Sequence, residues 1–162
     1  MWLVLTLIAP TLWGQERGDI VKVEATLSGF QEVPPILSNG RGDFRAIIRG
    51  DNSIIFELSY SDLSSPVLFA HVHFGQPGVN GGILFFLCPR GSEPPGTFCP
   101  PSGRISGRIT AADVQAIPAQ GIQAGDLAGV IRAIREGVTY ANVHTDNFPT
   151  GEIRGQVQVD ER

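Results

Sequence analysis

Few residues in this chain can carry positive charge or bind metal. Lys22 is the single lysine of 162 residues, Met1 the single methionine, and there are two cysteines and three histidines. The basic side chains, eleven arginines and Lys22, are scattered without a run, and the formal net charge is −4. Nucleic-acid binding needs a basic patch or stripe, so the sequence excludes nucleic acid as a partner. There is no GxSxG, no P-loop and no nucleotide fingerprint, and no serine stands in a recognisable nucleophile context. The longest apolar stretch, residues 1–13, ends where the chain turns polar at Gln15. A membrane span needs about 20 apolar residues, so this stretch is too short.

It has the length of the apolar centre of a secretory signal. No Lys or Arg precedes it, and Leu12 lies two residues before the small Gly14. Residues 1–18 therefore read as a signal segment and 19–162 as one domain, in a secreted, extracellular or periplasmic protein with no stable span once the signal is removed. The cysteines agree. Cys88 and Cys99 enclose the loop PRGSEPPGTF, and no CxxC spacing suggests a zinc site. In an exported chain such a pair reads as a disulfide. Closing a loop of about ten residues would stabilise by roughly 2–3 kcal/mol.

Twenty glycines and twelve prolines, with 42% hydrophobic residues, point to many turns and short elements around a real core. Strands are expected at IVKVEATL (20–27), DFRAIIR (43–49), SIIFELSY (53–60), VLFAHVHF (67–74), ILFFLC (83–88), GRISGRI (103–109), VTYANVHT (138–145) and EIRGQVQV (152–159). The second and third form a hairpin turning at Asp51 and Asn52, and ILFFLC reads as fully buried. Thr110 and Asp113 resemble a capping box, predicting a short helix AADVQAI that stops before Pro118. Asp126 caps a second helix, whose Leu127, Val130, Ile131 and Ile134 fall on one stripe, with Gly137 ending it. The expected fold is mainly β: a Greek-key or immunoglobulin-like sandwich of about eight strands, with a helical insertion at residues 110–136.

The histidines occupy two similar settings, HVHFG (71–75) and YANVHTDN (140–147). Side chains at i and i+2 of a strand share a face, so His71 and His73 point the same way, rooted roughly 6.5–7 Å apart. Val72 and Phe74 face the core. His144 shares a face with Asn142 and Tyr140. If the two strands are neighbours, three imidazoles meet, a donor set that suits copper or zinc. The competing reading is a hydrogen-bonded polar row bracing the glycine loop GQPGVNGG.

LSGFQEVPP (27–35), AHVHFGQPGVNGGI (70–83), SGRISGRITAADV (102–114) and YANVHTDNFPTGEIRGQV (140–157) resemble, in that order, the chordin-type or CHRD domain family. The resemblance implies a secreted all-β domain and brings no defined catalytic set. Chordin itself binds growth factors, but this chain lacks its cysteine-rich modules. HVHFG alone is similar to the copper-ligand strand of copper/zinc superoxide dismutase. On that likeness His71, His73 and His144 match copper ligands, while a fourth, bridging histidine and a zinc-ligand cluster are missing.

Other residues carry lesser readings. Glu32 and Arg154 read as an ion pair tying QEVPP to the last strand. Asn142, Asp146 and Arg154 are candidates to support the imidazoles, with turn formation the better role for Asp146. The tripeptide Arg41–Gly42–Asp43 opens a strand rather than a loop tip. Two functions follow. One is a non-enzymatic exported module that binds an extracellular protein or matrix component. The other is a copper- or zinc-binding protein built on His71, His73 and His144, with redox activity like that of the dismutase within its scope.

Overall fold

A computed structural model describes residues 20–50, 53–89 and 99–160. The expected signal segment and the turn at Asp51 and Asn52 lie outside these. The strands are β1 (Val21–Ser28), β2 (Arg41–Arg49), β3 (Ser53–Ser61), β4 (Val67–Phe74), β5 (Gly82–Cys88), β6 (Gly103–Ile109), β7 (Thr139–Thr145), β8 (Ile153–Gln156) and β9 (Gln158–Val159). All pair antiparallel in one sheet of order β5-β4-β7-β8-β1-β2-β3-β6, with β9 also on β1. The fold is mainly β, as the alternating segments predict. Strands β5 and β6, at opposite ends of the order, touch each other, so the sheet curls into a nearly closed barrel or sandwich. The Cys88–Cys99 disulfide stands at this seam. Tyr60 of β3 also reaches it, its hydroxyl donating to the Pro100 carbonyl at 2.7 Å.

The core lies inside the curl. Strand β2 alternates strictly, burying Phe44, Ala46 and Ile48, and β3 opposes them with Phe56, Leu58 and Ile54. The helix α1 (Leu127–Arg135) has the predicted cap: Asp126 accepts from the Gly129 N–H at 2.8 Å. Its stripe of Leu127, Val130, Ile131 and Ile134 joins the same core. Among the described residues no helix is long and apolar enough to cross a membrane.

Three expectations need correction. The capping box at Thr110 and Asp113 forms, yet only a single 3₁₀ turn, Ala111–Asp113, follows it. The Gln115 N–H bonds the Leu84 carbonyl at 2.8 Å, so a tertiary contact takes the donor that a helix would have used. A seven-residue helix is too short to resist that competition. ILFFLC is a strand, but Ile83 and Phe86 are only half-buried. The last expected strand divides into β8 and β9 around Val157, whose N–H bonds the Thr139 carbonyl.

Strand β7 is buried at every position, and β4 is buried from Ala70 to His73. Each therefore has a covered inner face and a covered outer face. The inner face carries Val72, Ala141 and Val143 into the apolar core. The outer face carries the polar residues.

Candidate metal centre

Strands β4 and β7 are direct neighbours, and their register decides the site. His71 pairs with Asn142, His73 with Tyr140 and Phe69 with His144. Opposed residues share a face, so the three histidines, Asn142 and Tyr140 stand together on the outer face. One nitrogen from each of His71, His73 and His144 lies within 4.8 Å of the others. The imidazoles are 2%, 8% and 6% exposed, respectively.

Hydrogen bonds fix the tautomers. His73 Nδ1 lies 2.9 Å from the Gly81 carbonyl, and His144 Nδ1 lies 3.0 Å from that of Pro149. A carbonyl only accepts, so both Nδ1 atoms carry the proton. Burial lowers the pKa of His73 to about 4, against the opposing bond to the Gly81 carbonyl, and that of His71 to about 2, with smaller contributions from neighbouring charge in both. Burial lowers His144 as well. The rings are therefore neutral near pH 7, and both Nε2 atoms hold a lone pair. His73 Nε2 accepts from His71 Nδ1 at 2.8 Å. His144 Nε2 is buried and has no hydrogen-bond partner. A lone pair kept from water without a donor costs about 1–3 kcal/mol. Metal-ligating histidines commonly give their second N–H to a backbone carbonyl, as His73 and His144 do here.

The surroundings are aromatic. Phe69 and Phe86 each lie 5.1 Å from His71, and Phe69 lies 4.8 Å from His144. Tyr140 stacks parallel on His73 at 4.6 Å, and Arg154 places its guanidinium 3.5 Å over the other side of Tyr140. Arg154 is buried and donates to Asn80 Oδ1 at 3.1 Å, to the Val79 carbonyl at 2.9 Å and to the Gln76 carbonyl at 3.2 Å. The Gly81 N–H adds a bond to the Tyr140 hydroxyl at 3.2 Å. The GQPGVNGG loop is thus fastened over the histidines. Gly81 is required there, because a Cβ would lie 1.7 Å from the Phe74 carbonyl.

Glu32 enters from the QEVPP loop. Its Oε1 accepts from Asn142 Nδ2 at 2.5 Å. Its charge and that of Arg154 attract, while the hydrogen bonds of each go to other partners. Asn142 also donates to the Ile153 carbonyl at 2.9 Å, so it braces the sheet and the loop. Asp146 is exposed in the turn, its N–H on the Pro66 carbonyl at 3.1 Å. Arg41–Gly42–Asp43 lies within β2, where Arg41 pairs with Asp62 at 2.6 Å.

Sequence reasoning missed Glu152. It is fully buried, and its carboxylate accepts from Ser38 Oγ at 2.5 Å, Thr145 Oγ1 at 2.6 Å, Ser64 Oγ at 2.8 Å and the Ser64 N–H at 2.9 Å. Burial opposes its charge, yet these bonds together hold its carboxyl below the usual range. No spacing in the sequence announces it, since its partners come from three separate segments. Phe69 was legible, two residues before His71 on the same face. Phe86 was not, because a register shift in the β4–β5 pairing brings it opposite His71.

Fold and site together define an antiparallel β-domain that buries three neutral imidazoles beneath two loops on its outer face. No curated protein matches the chain. The CHRD domain matches residues 23–157, from β1 to the residue between β8 and β9. The chain belongs to the CHRD domain family.

Proposed function

We propose that this CHRD-domain protein is an exported, non-enzymatic binding module that holds one copper or zinc ion through His71, His73 and His144. The observation that carries the reading is His144 Nε2, a lone pair buried without a donor beside two other imidazoles. A brace for the glycine loop needs His73 and Tyr140, which bond Gly81, but gives no reason to bury that atom. A metal ion does, since imidazole nitrogen is a good ligand for both metals. The fixed Nδ1–H tautomers of His73 and His144 support it, because they leave the lone pair of each ring on Nε2; that of His144 is free, and that of His73 is released once the His71 ring turns its Nδ1–H away. Export is supported by the disulfide, a bond that persists in oxidising compartments. The test is metal content of untagged protein, followed by copper and zinc titration against His73→Ala. Stoichiometric metal that the variant loses supports the reading; no metal at micromolar excess removes it.

A further inference from the structure

The ion itself can be narrowed further, on the basis of the three-histidine reading above. We infer that the cluster selects monovalent copper, Cu(I), over Zn(II) and Cu(II).

The first ground is charge. All three donors are neutral imidazoles, and the cluster contains no carboxylate or thiolate among the described residues. The acid in the surrounding network is Glu32, and the facing cation is Arg154. An ionised Glu32 is balanced by Arg154, and a protonated one leaves Arg154 in surplus. Neither state leaves net negative charge on this face to offset a metal ion; the ionised Glu152 is bonded to Thr145, which alternates to the opposite face of β7 from His144, and to Ser38 and Ser64. The cost of taking an ion out of water rises with the square of its charge, so a divalent ion meets about four times the penalty of a monovalent one.

The second ground is ligand number. Zinc sites take four ligands, and three-residue sites complete the set with water. Here the rings of Phe69, Phe86 and Tyr140 flank the imidazoles. A water held against them would lack the two to four polar partners it needs. Cu(I) is satisfied by three nitrogen donors and requires no water. The same apolar shell penalises the higher oxidation state of copper.

The experiment is competition on untagged, disulfide-intact, full-length protein. Cu(I) is titrated under argon with ascorbate against a Cu(I)-specific chelator, and Zn(II) and Cu(II) against chelators of known affinity. The expected result is one Cu(I) per chain, bound at least about 100-fold more tightly than Zn(II). Equal or tighter binding of Zn(II) or Cu(II) overturns the inference and leaves the three-histidine site standing. Retention of no ion overturns both. Cu(I) held equally well by folded His144→Leu places the copper elsewhere and also overturns both. The wild-type competition ranks the ions by itself, so the choice of ion does not depend on a variant folding.

Discussion

Replacing His144 by Leu separates a metal ligand from a structural histidine. In the metal-free chain His144 Nε2 is a buried acceptor with no donor. Such a group costs about 1–3 kcal/mol, and Leu removes it at similar volume. The substitution also removes the bond from Nδ1 to the Pro149 carbonyl, worth about 1 kcal/mol. Pro149 is exposed, so water can take over that carbonyl. The net change is between zero and about 2 kcal/mol of stabilisation, or a Tm rise of up to roughly 4–8 °C for a domain of this size. His144→Ala behaves differently. It opens a cavity beside Phe69 and His71 and should cost about 2–4 kcal/mol. Metal at 100 times Kd adds about 2.7 kcal/mol to the wild type and nothing to either variant. The order of Tm between wild type and Leu variant should therefore invert on adding metal. Scanning calorimetry with chelator and then with metal reads both halves. A metal-free Leu variant more than about 2 kcal/mol less stable than wild type would refute the reasoning, because His144 would then be a structural residue.

Three further outcomes follow from the loops and turns around the cluster. Glu152→Ala strands hydroxyls and an amide from Ser38, Ser64 and Thr145, and should cost about 3–5 kcal/mol in urea unfolding; a loss under 1 kcal/mol would mean that the knot is not what holds these segments. Burial first, against smaller opposing bonds and charges, pushes Glu32 up to about 7 from 4.5, so the folded chain holds this proton more tightly than the unfolded one. That contribution is complete below pH 4.5 and is lost as pH rises through about 7, a span worth roughly 3 kcal/mol. Glu32→Gln should abolish it. The depressed histidines titrate in the opposite sense, so the difference between variant and wild-type stability curves is the measurement; a pH-independent difference contradicts the assignment. Arg154→Leu leaves Asn80, Gln76 and Val79 without their donor and should destabilise by about 2–4 kcal/mol. Hydrogen exchange should quicken at the Gly81 amide, and unchanged protection there would show that Arg154 does not hold the loop.

Local pattern carried most of the strands. Alternation placed β1, β2, β3 and β6 because half-buried strands repeat every two residues, and Asp126 with its stripe placed α1 because capping and the 3.6 period are local too. The helix expected at AADVQAI shows where that logic stops. Its cap is local and forms, but the fate of the next residue is decided by Leu84, some thirty positions away in the chain. Arg154 shows the same limit. Beside its attraction to Glu32 of the QEVPP loop, it gives its hydrogen bonds to the other loop, GQPGVNGG, partners that no local pattern names.

By itself the sequence determined that His71 and His73 share a face, that Val72 turns inward, and that His144 shares a side with Asn142 and Tyr140. Those are consequences of the strand's two-residue period. Whether the two histidine segments meet was decided only by the tertiary structure. Sheet order is set by the global closure of the strands, and it makes β4 and β7 neighbours across an intervening stretch of more than sixty residues. Burial of the imidazoles was decided there as well. It is produced by two loops that fold back over the outer face and by Arg154, which fastens one of them, none of which a periodic pattern encodes.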